Sequence, residues 1–402
     1  MTDIEVRLGT VSVGSIYRQR GARGERIAFR YAEEWLAYAD RFAIDPELFL
    51  DRSATVPART PLFGALADSA PDRWGRRLMQ RRERHLADVE GRAVRTLSEL
   101  DYVLGVSDVA RHGALRFVQE GAFVATSDDV PPLVKLADLL GAADRIERDE
   151  ANAEDLALLL APGSSLGGAR PKASVRDPQG NLCIAKFPRE TDEYSIERWE
   201  YIAHELARAA GINVAESRLL SVAGRDVLLS QRFDRRGPER VHFASALTLL
   251  GLRDGESASY PEIAEILQRE GSRPRDDSEE LFRRMVFNIC IANVDDHLRN
   301  HGFLRERGGW TLSPAYDLNP VPTDVRPRIL STAITLDDAT GTLEIARDAA
   351  TFFGLSPART EAIIQATTSA VAGWERIAKA AGASRAECAR MKSAFLVSPS
   401  TR

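Results

Sequence analysis

Residues 293–301, NVDDHLRNH, follow directly on the apolar run LFRRMVFNICIA (281–292) and place two aspartates, two histidines and two asparagines in nine positions. In the run, Leu281, Phe282, Met285, Val286, Ile289 and Cys290 recur at helical spacing. They predict a helix that buries one face and delivers the polar cluster rigidly at its C-terminal end. Three readings of the cluster stand open. It can move a proton, hold a metal, or serve as the polar end of a helix.

An Asp followed by an Asn five residues on, Asp295 and Asn300 here, is the spacing of a phosphotransferase catalytic loop. The Asp accepts the proton of the attacking hydroxyl and the Asn oxygen coordinates magnesium. Downstream, LSPAYDLNP (312–320) sets Asp317 behind an apolar strand, where a second carboxylate would bind the same hard cation. The rival chemistry is a transition-metal site formed by Asp296, His297 and His301, as in metal-dependent phosphohydrolases.

Upstream segments bear on the choice. GSSLGGARPKASV (163–175) has adjacent glycines that let backbone amides approach a phosphate. It is no Walker loop, because Lys172 lies four residues past Gly168 and the chain continues extended. The next strand, NLCIAKFP (181–188), ends on Lys186, and the helical segment TDEYSIERWEYIAHELARAAGINV (191–214) carries Glu197 and Glu200 before a stop at Gly211. A kinase grips phosphates with a strand lysine held by one helix glutamate. Taken singly, these features also read as a hairpin, a snorkelling lysine and acids favoured by a helix dipole. RDVLLSQRFDRRG (225–237) then runs a strong strand into a polar turn, where a nucleotide base would meet backbone groups.

Composition bounds the rest. The 402 residues, 44% hydrophobic, suffice for two or three globular domains. With 54 basic against 59 acidic residues and a net charge of -5, no global field favours nucleic acid or an anionic membrane, so contact with DNA requires a partner. Three distant cysteines, Cys183, Cys290 and Cys388, fit a reducing cytoplasm, and neither a signal peptide nor a membrane span is expected. IEVRLGTVSVGSIY (4–17) and RIAFRYA (26–32) read as strands, VPARTPLF (56–63) as a loop, and SAPDRWGRRLMQRRERHLADVEGR (69–92) as a helix capped by Ser69 or Asp72 with a solvated basic face. Residues 131–163 have helical period and end at Pro162-Gly163, a natural hinge.

Taken together and in this order, the motifs resemble the HipA-like serine/threonine kinases, toxin components of bacterial toxin–antitoxin systems. VSVGSIY (11–17) and LADSAPDRWGRRL (66–78) look like the N-terminal region of that family, and SDVARHGALRF (107–117) like its link. SSLGGARPKA (164–173), AKFP (185–188), QRFDR (231–235), DDHLRN (295–300) and AYDLNP (315–320) look like its kinase core. The eukaryotic HRD, DFG and APE signatures are absent, and Tyr316-Asp317-Leu318 stands where DFG would.

The resemblance implies an α+β, two-lobed protein-kinase-like fold with an N-terminal accessory subdomain. Its boundaries would be 1–125 for that subdomain and 126–402 for the kinase core, with lobes of about 126–235 and 236–402. By motif, Asp295 is the base, Asn300 and Asp317 the magnesium ligands, and Lys186 the phosphate-gripping lysine. Gly167, Gly168, Ala169, Arg170, Pro171 and Lys172 form the phosphate loop, with His297 close to the phosphates and Tyr316 lining the nucleotide site. Gln231, Arg232 and Phe233 meet adenine, and Ser165, or its neighbour Ser164, is the autophosphorylated serine. Trp199-Glu200 replaces the family's frequent Asn-Glu pair, and Glu200 is the expected partner of Lys186, with Glu197 the alternative. The implied cofactors are ATP and Mg. The implied partners are a HipB-like helix-turn-helix antitoxin and a protein substrate such as an aminoacyl-tRNA synthetase, with DNA reached only through the antitoxin and no membrane involved. A catalytically weak co-repressor acting through that antitoxin is the alternative from another functional class.

Overall fold

A computed structural model describes residues 3–21, 24–126, 130–160 and 168–396. The chain forms two compact units, residues 1–190 with 234–244, and residues 191–233 with 245–402. Mixed helix and sheet agree with the α+β expectation. No helix among the described residues is long and apolar enough to cross a membrane.

In the first unit, an antiparallel sheet runs in the order Gly24–Tyr31, Val11–Gly21, Asp3–Leu8, Leu115–Gln119, Ala122–Phe123. The alternation read in the sequence places Ile4, Val6, Ile16, Ile27 and Phe29 in one core with Trp35, Phe63 and Phe117. The helix Arg73–Val89 follows, and of its two candidate caps Asp72 is the one used, accepting the Gly75 N–H at 2.8 Å. Ser69 instead donates to the Leu66 carbonyl. Three arginines of the basic face are paired: Arg76 with Glu99, Arg77 with Glu147 and Arg81 with Asp149, at 2.6–2.7 Å.

The same cap holds a second partner. Lys172 Nζ lies 2.9 Å from the other Asp72 oxygen, with side chains 6% and 3% exposed, and Trp74 Nε1 donates to the Lys172 carbonyl at 3.0 Å. Lys172 opens a hairpin, Lys172–Arg176 with Leu182–Lys186, whose register sets Lys172 opposite Lys186.

In the second unit, Ser195 caps the helix Ile196–Ala209, and the chain leaves it through Gly211 at φ +78°. The hairpin Ser217–Val222 with Arg225–Gln231 follows. The long helix Pro274–Ile291 packs among Tyr260–Glu270 and Pro357–Ala372. The six apolar residues read from its sequence are all inaccessible, but so are Phe287 and Ile291. Its C-terminal half is therefore buried all round rather than on one face, because neighbouring elements cover it from several sides and Tyr260 satisfies its one buried amide, Asn288.

The Asp72–Lys172 pair yields a stability test. Removing one partner of a buried ion pair leaves an uncompensated charge and costs about 3–5 kcal/mol. Asp72→Asn, which keeps the cap, and Lys172→Met are each expected to destabilise on that scale. The double variant should be less destabilised than the sum, with a coupling of roughly 1–3 kcal/mol. Denaturant unfolding of the four proteins measures the cycle, and additive effects would mean that the pair does not act as a unit.

Candidate active site

The helix Pro274–Ile291 stops through Ala292, which takes the left-handed conformation at φ 49°. Without glycine that turn costs on the order of 1–2 kcal/mol, and it is held by Asn293 N–H donating to the Asn288 carbonyl at 2.9 Å and by Val321 N–H donating to the Ala292 carbonyl at 3.2 Å. Asp317, also at positive φ, 57°, is the second such residue in this region. Two non-glycine residues in strained conformations beside one turn are typical of a site whose geometry the surrounding packing imposes.

Beyond Ala292 the nine-residue cluster separates by environment. Asp295 is exposed, and no described residue bonds its carboxylate. Its backbone carbonyl accepts from Asn300 Nδ2 at 3.0 Å, which commits the amide nitrogen and leaves Asn300 Oδ1 buried without a hydrogen bond. A buried acceptor with no donor is the arrangement a cation satisfies. Asp317 is joined to this turn from the other side. Tyr316 Oη donates to the Arg299 carbonyl at 2.6 Å, and Asn319 N–H donates to Asn293 Oδ1 at 3.2 Å. Asn319 Nδ2 then reaches Asp317 Oδ1 at 3.4 Å. The structure thus assembles Asp295, Asn300 and Asp317, with His297 half-buried in the same turn. The Phe233 ring lies 5.4 Å from that of Tyr316, bringing the end of the 225–233 strand segment to the same place. Gln231 spends its N–H on the Glu216 carbonyl, and Arg232 is buried.

Asp296 points the opposite way. It is 1% exposed, and its carboxylate accepts from Tyr260 Oη at 2.7 Å and from the N–H groups of Ser331 and Thr332 at 2.9 and 3.2 Å. Burial pushes its carboxyl up to about 7, against the pull of these hydrogen bonds. His301 is driven down to about 3 by burial and is neutral, donating from Nε2 to the Asp296 carbonyl at 3.1 Å. Two of the three residues of the transition-metal reading, Asp296 and His301, are therefore spent on holding the loop. Among the described residues no cluster of three or more His, Cys, Asp or Glu side chains could hold a metal ion.

The remaining sequence candidates lie in two places. Glu197 and Glu200 are buried on the helix Ile196–Ala209, Glu200 at 3.8 Å from His204 Nε2. In the first unit, Lys186 ends its strand, half-buried; Gly168 turns at φ +91°, Ala169 accepts from Arg189, and Pro171 accepts from Phe187 N–H at 2.9 Å. Arg170 is half-buried, and Lys172 places its ammonium on Asp72. Gly167, Ser164 and Ser165 lie outside the described residues. Sequence reading did not find Tyr260, Asn288, Asn293, Asn319, Ser331 and Thr332. The one available signal was the polar Asn288 within an apolar helix run.

Comparison with known proteins sets this geometry among relatives. The HipA-like C-terminal domain family matches residues 164–374, and the HipA N-terminal domain family matches residues 4–100. Y4mE of Sinorhizobium fredii is 26% identical over 386 residues, covering 86% of each chain. The serine/threonine-protein kinase toxin HipA of Shewanella oneidensis is 23% identical over 344 residues, covering 78% of this chain and 74% of that protein. Among solved structures, the complex of Shewanella oneidensis HipA, HipB and operator DNA contains a chain of the same fold, with TM-score 0.70 and 18% identity over 97% of this chain and 94% of that one.

Proposed function

The chain belongs to the HipA family, and on that premise we propose that it is an ATP- and Mg-dependent kinase of protein serine or threonine. The observation that carries this is the division of labour in one turn: Asp295 is exposed and, among the described residues, its carboxylate has no bonding partner, while Asn300 Oδ1 is buried with no donor among them. Asn300 and Asp317 fit a magnesium ion, which when bound with ATP would neutralise charge on the phosphates. Asp295 takes the proton from the attacking hydroxyl. Lys186 and the backbone of the segment Gly167 through Lys172 take the role of phosphate grip, His297 and Tyr316 that of nucleotide-site residues, and Glu200 that of the lysine partner. Backbone groups of Gln231, Arg232 and Phe233 hold adenine.

The proposed setting is a toxin–antitoxin pair. A HipB-like helix-turn-helix antitoxin neutralises the kinase and supplies the basic residues that contact DNA, since this chain carries a net charge of -5. The Shewanella oneidensis HipA structure is of a complex with HipB and its operator DNA. The target would be a cytoplasmic protein of translation such as an aminoacyl-tRNA synthetase, whose modification arrests growth.

Variants at the two aspartates test the reading first. Asp295→Asn should bind Mg-ATP normally while losing about 10²- to 10⁴-fold in phosphate transfer. Asp317→Asn should weaken Mg-ATP binding itself, because it removes a carboxylate from the metal shell. Equilibrium nucleotide titration and single-turnover transfer separate the two effects, and an Asp295→Asn protein that transfers at the parental rate would overturn the role given to the loop.

A further outcome concerns Ser165. A phosphate there adds roughly -1.5 to -2 charge beside the glycine pair proposed to receive the ATP phosphates, so it should disable the loop. Protein from the active gene should carry phosphate on Ser165 or Ser164, and Asp295→Asn protein should carry none. Ser165→Asp should bind ATP weakly and Ser165→Ala normally. Mass spectrometry and ATP titration check this, and unmodified serines in a demonstrably active kinase would refute self-inactivation.

A further inference from the structure

Asp295 is held from both sides by bonds that do not touch it. Ser331 Oγ donates to the Val294 carbonyl at 2.8 Å, and Thr332 Oγ1 donates to the Asp296 carbonyl at 2.6 Å. The backbone amides of the same two residues donate to the Asp296 carboxylate. Tyr260 closes the ring, since its N–H donates to the Ala333 carbonyl at 2.8 Å while its Oη reaches Asp296 Oδ2. Asn288 Nδ2 donates to Tyr260 Oη at 2.8 Å, which turns the phenol proton toward Asp296.

We infer that Asp296 is a positioning residue whose buried carboxylate, tied to Tyr260 and to Ser331-Thr332, fixes the angle at which Asp295 is presented. The inference rests on the reading of Asp295 as base. It also couples that base to the segment downstream of Asp317, because one side chain holds both.

The chemistry selects a carboxylate at this position. Three donors converge on Asp296: one hydroxyl and two amides. The two carboxyl oxygens accept all three bonds, whereas an asparagine of the same shape would turn an NH₂ group toward one of the donors. Leaving buried donors unsatisfied loosens the anchorage, and a displacement of about 1 Å at a reacting group can cost about 10²-fold in rate.

Asp296→Asn and Tyr260→Phe test this in the full chain. Each is expected to lower the single-turnover rate of phosphate transfer by about 10- to 100-fold with ATP affinity unchanged. The double variant should be no slower than the worse single variant, because the two side chains act as one unit. Amide exchange should rise together at 294–301 and 329–334 in both variants, and in the parent the Ser331 and Thr332 amides should be strongly protected. Folded variants with the parental rate, exchange that rises in neither segment, or rapid exchange of the parent's Ser331 and Thr332 amides would each overturn the positioning role. Asp295→Asn serves as the control. If it keeps transfer the base reading itself fails, and if it is inactive while Tyr260→Phe is not, only the present inference fails.

Discussion

Burial of the C-terminal half of the helix Pro274–Ile291 is the constraint on which the candidate site depends. A helix that exposes none of Leu281, Phe282, Met285, Val286, Phe287, Ile289, Cys290 and Ile291 cannot rotate or slide without opening the core. The chain that leaves it must therefore begin its turn at one place. That fixed origin makes a left-handed alanine tolerable at position 292, and it lets two neighbouring aspartates meet opposite environments one residue apart.

The contrast between Asp295 and Asp296 follows from that origin. One carboxylate is exposed with no described residue bonded to it, and the other is immersed among three donors, with its carboxyl raised by burial. Splitting two adjacent acids by environment gives each a distinct role, as happens wherever paired titratable groups do different work in one site. Behind the turn Tyr260, Asn288, Asp296 and Thr332 are buried while Ser331 is exposed, and the hydrogen bonds among the buried members set their geometry. Nearby, Asn300 has the opposite character: one end of its amide is bonded and the other is buried and idle.

What was legible in the sequence divides along the same physical line. The helix, its stop and the Asp295–Asn300 spacing are local, and 3.6-residue periodicity together with a five-residue offset express them directly. The first three strands of the first sheet were legible for the same reason, as were the loop at 56–63 and the glycine stop at 211, whereas Leu115–Gln119 and Ala122–Phe123 were not read as strands. Tyr260 and Ser331-Thr332 meet Asp296 across separations of 35 and 36 residues, and no pattern along a chain encodes which hydroxyl will close a distant ring. Lys172 shows the other kind of gap. Its place after a glycine pair suggested phosphate contact, whereas its ammonium rests on the cap of the helix Arg73–Val89. A buried carboxylate far upstream competes for such a cation, and only tertiary structure reveals the competitor.

The most direct measurement follows the γ-phosphate itself. The protein is incubated with Mg²⁺, γ-labelled ATP and a bacterial lysate, and the label is traced to protein hydroxyls or to free phosphate. The account predicts acid-stable label on serine or threonine of a discrete protein, present with the parent chain and absent with Asp295→Asn. Label recovered only as inorganic phosphate, or a transfer that survives loss of Asp295, would contradict it.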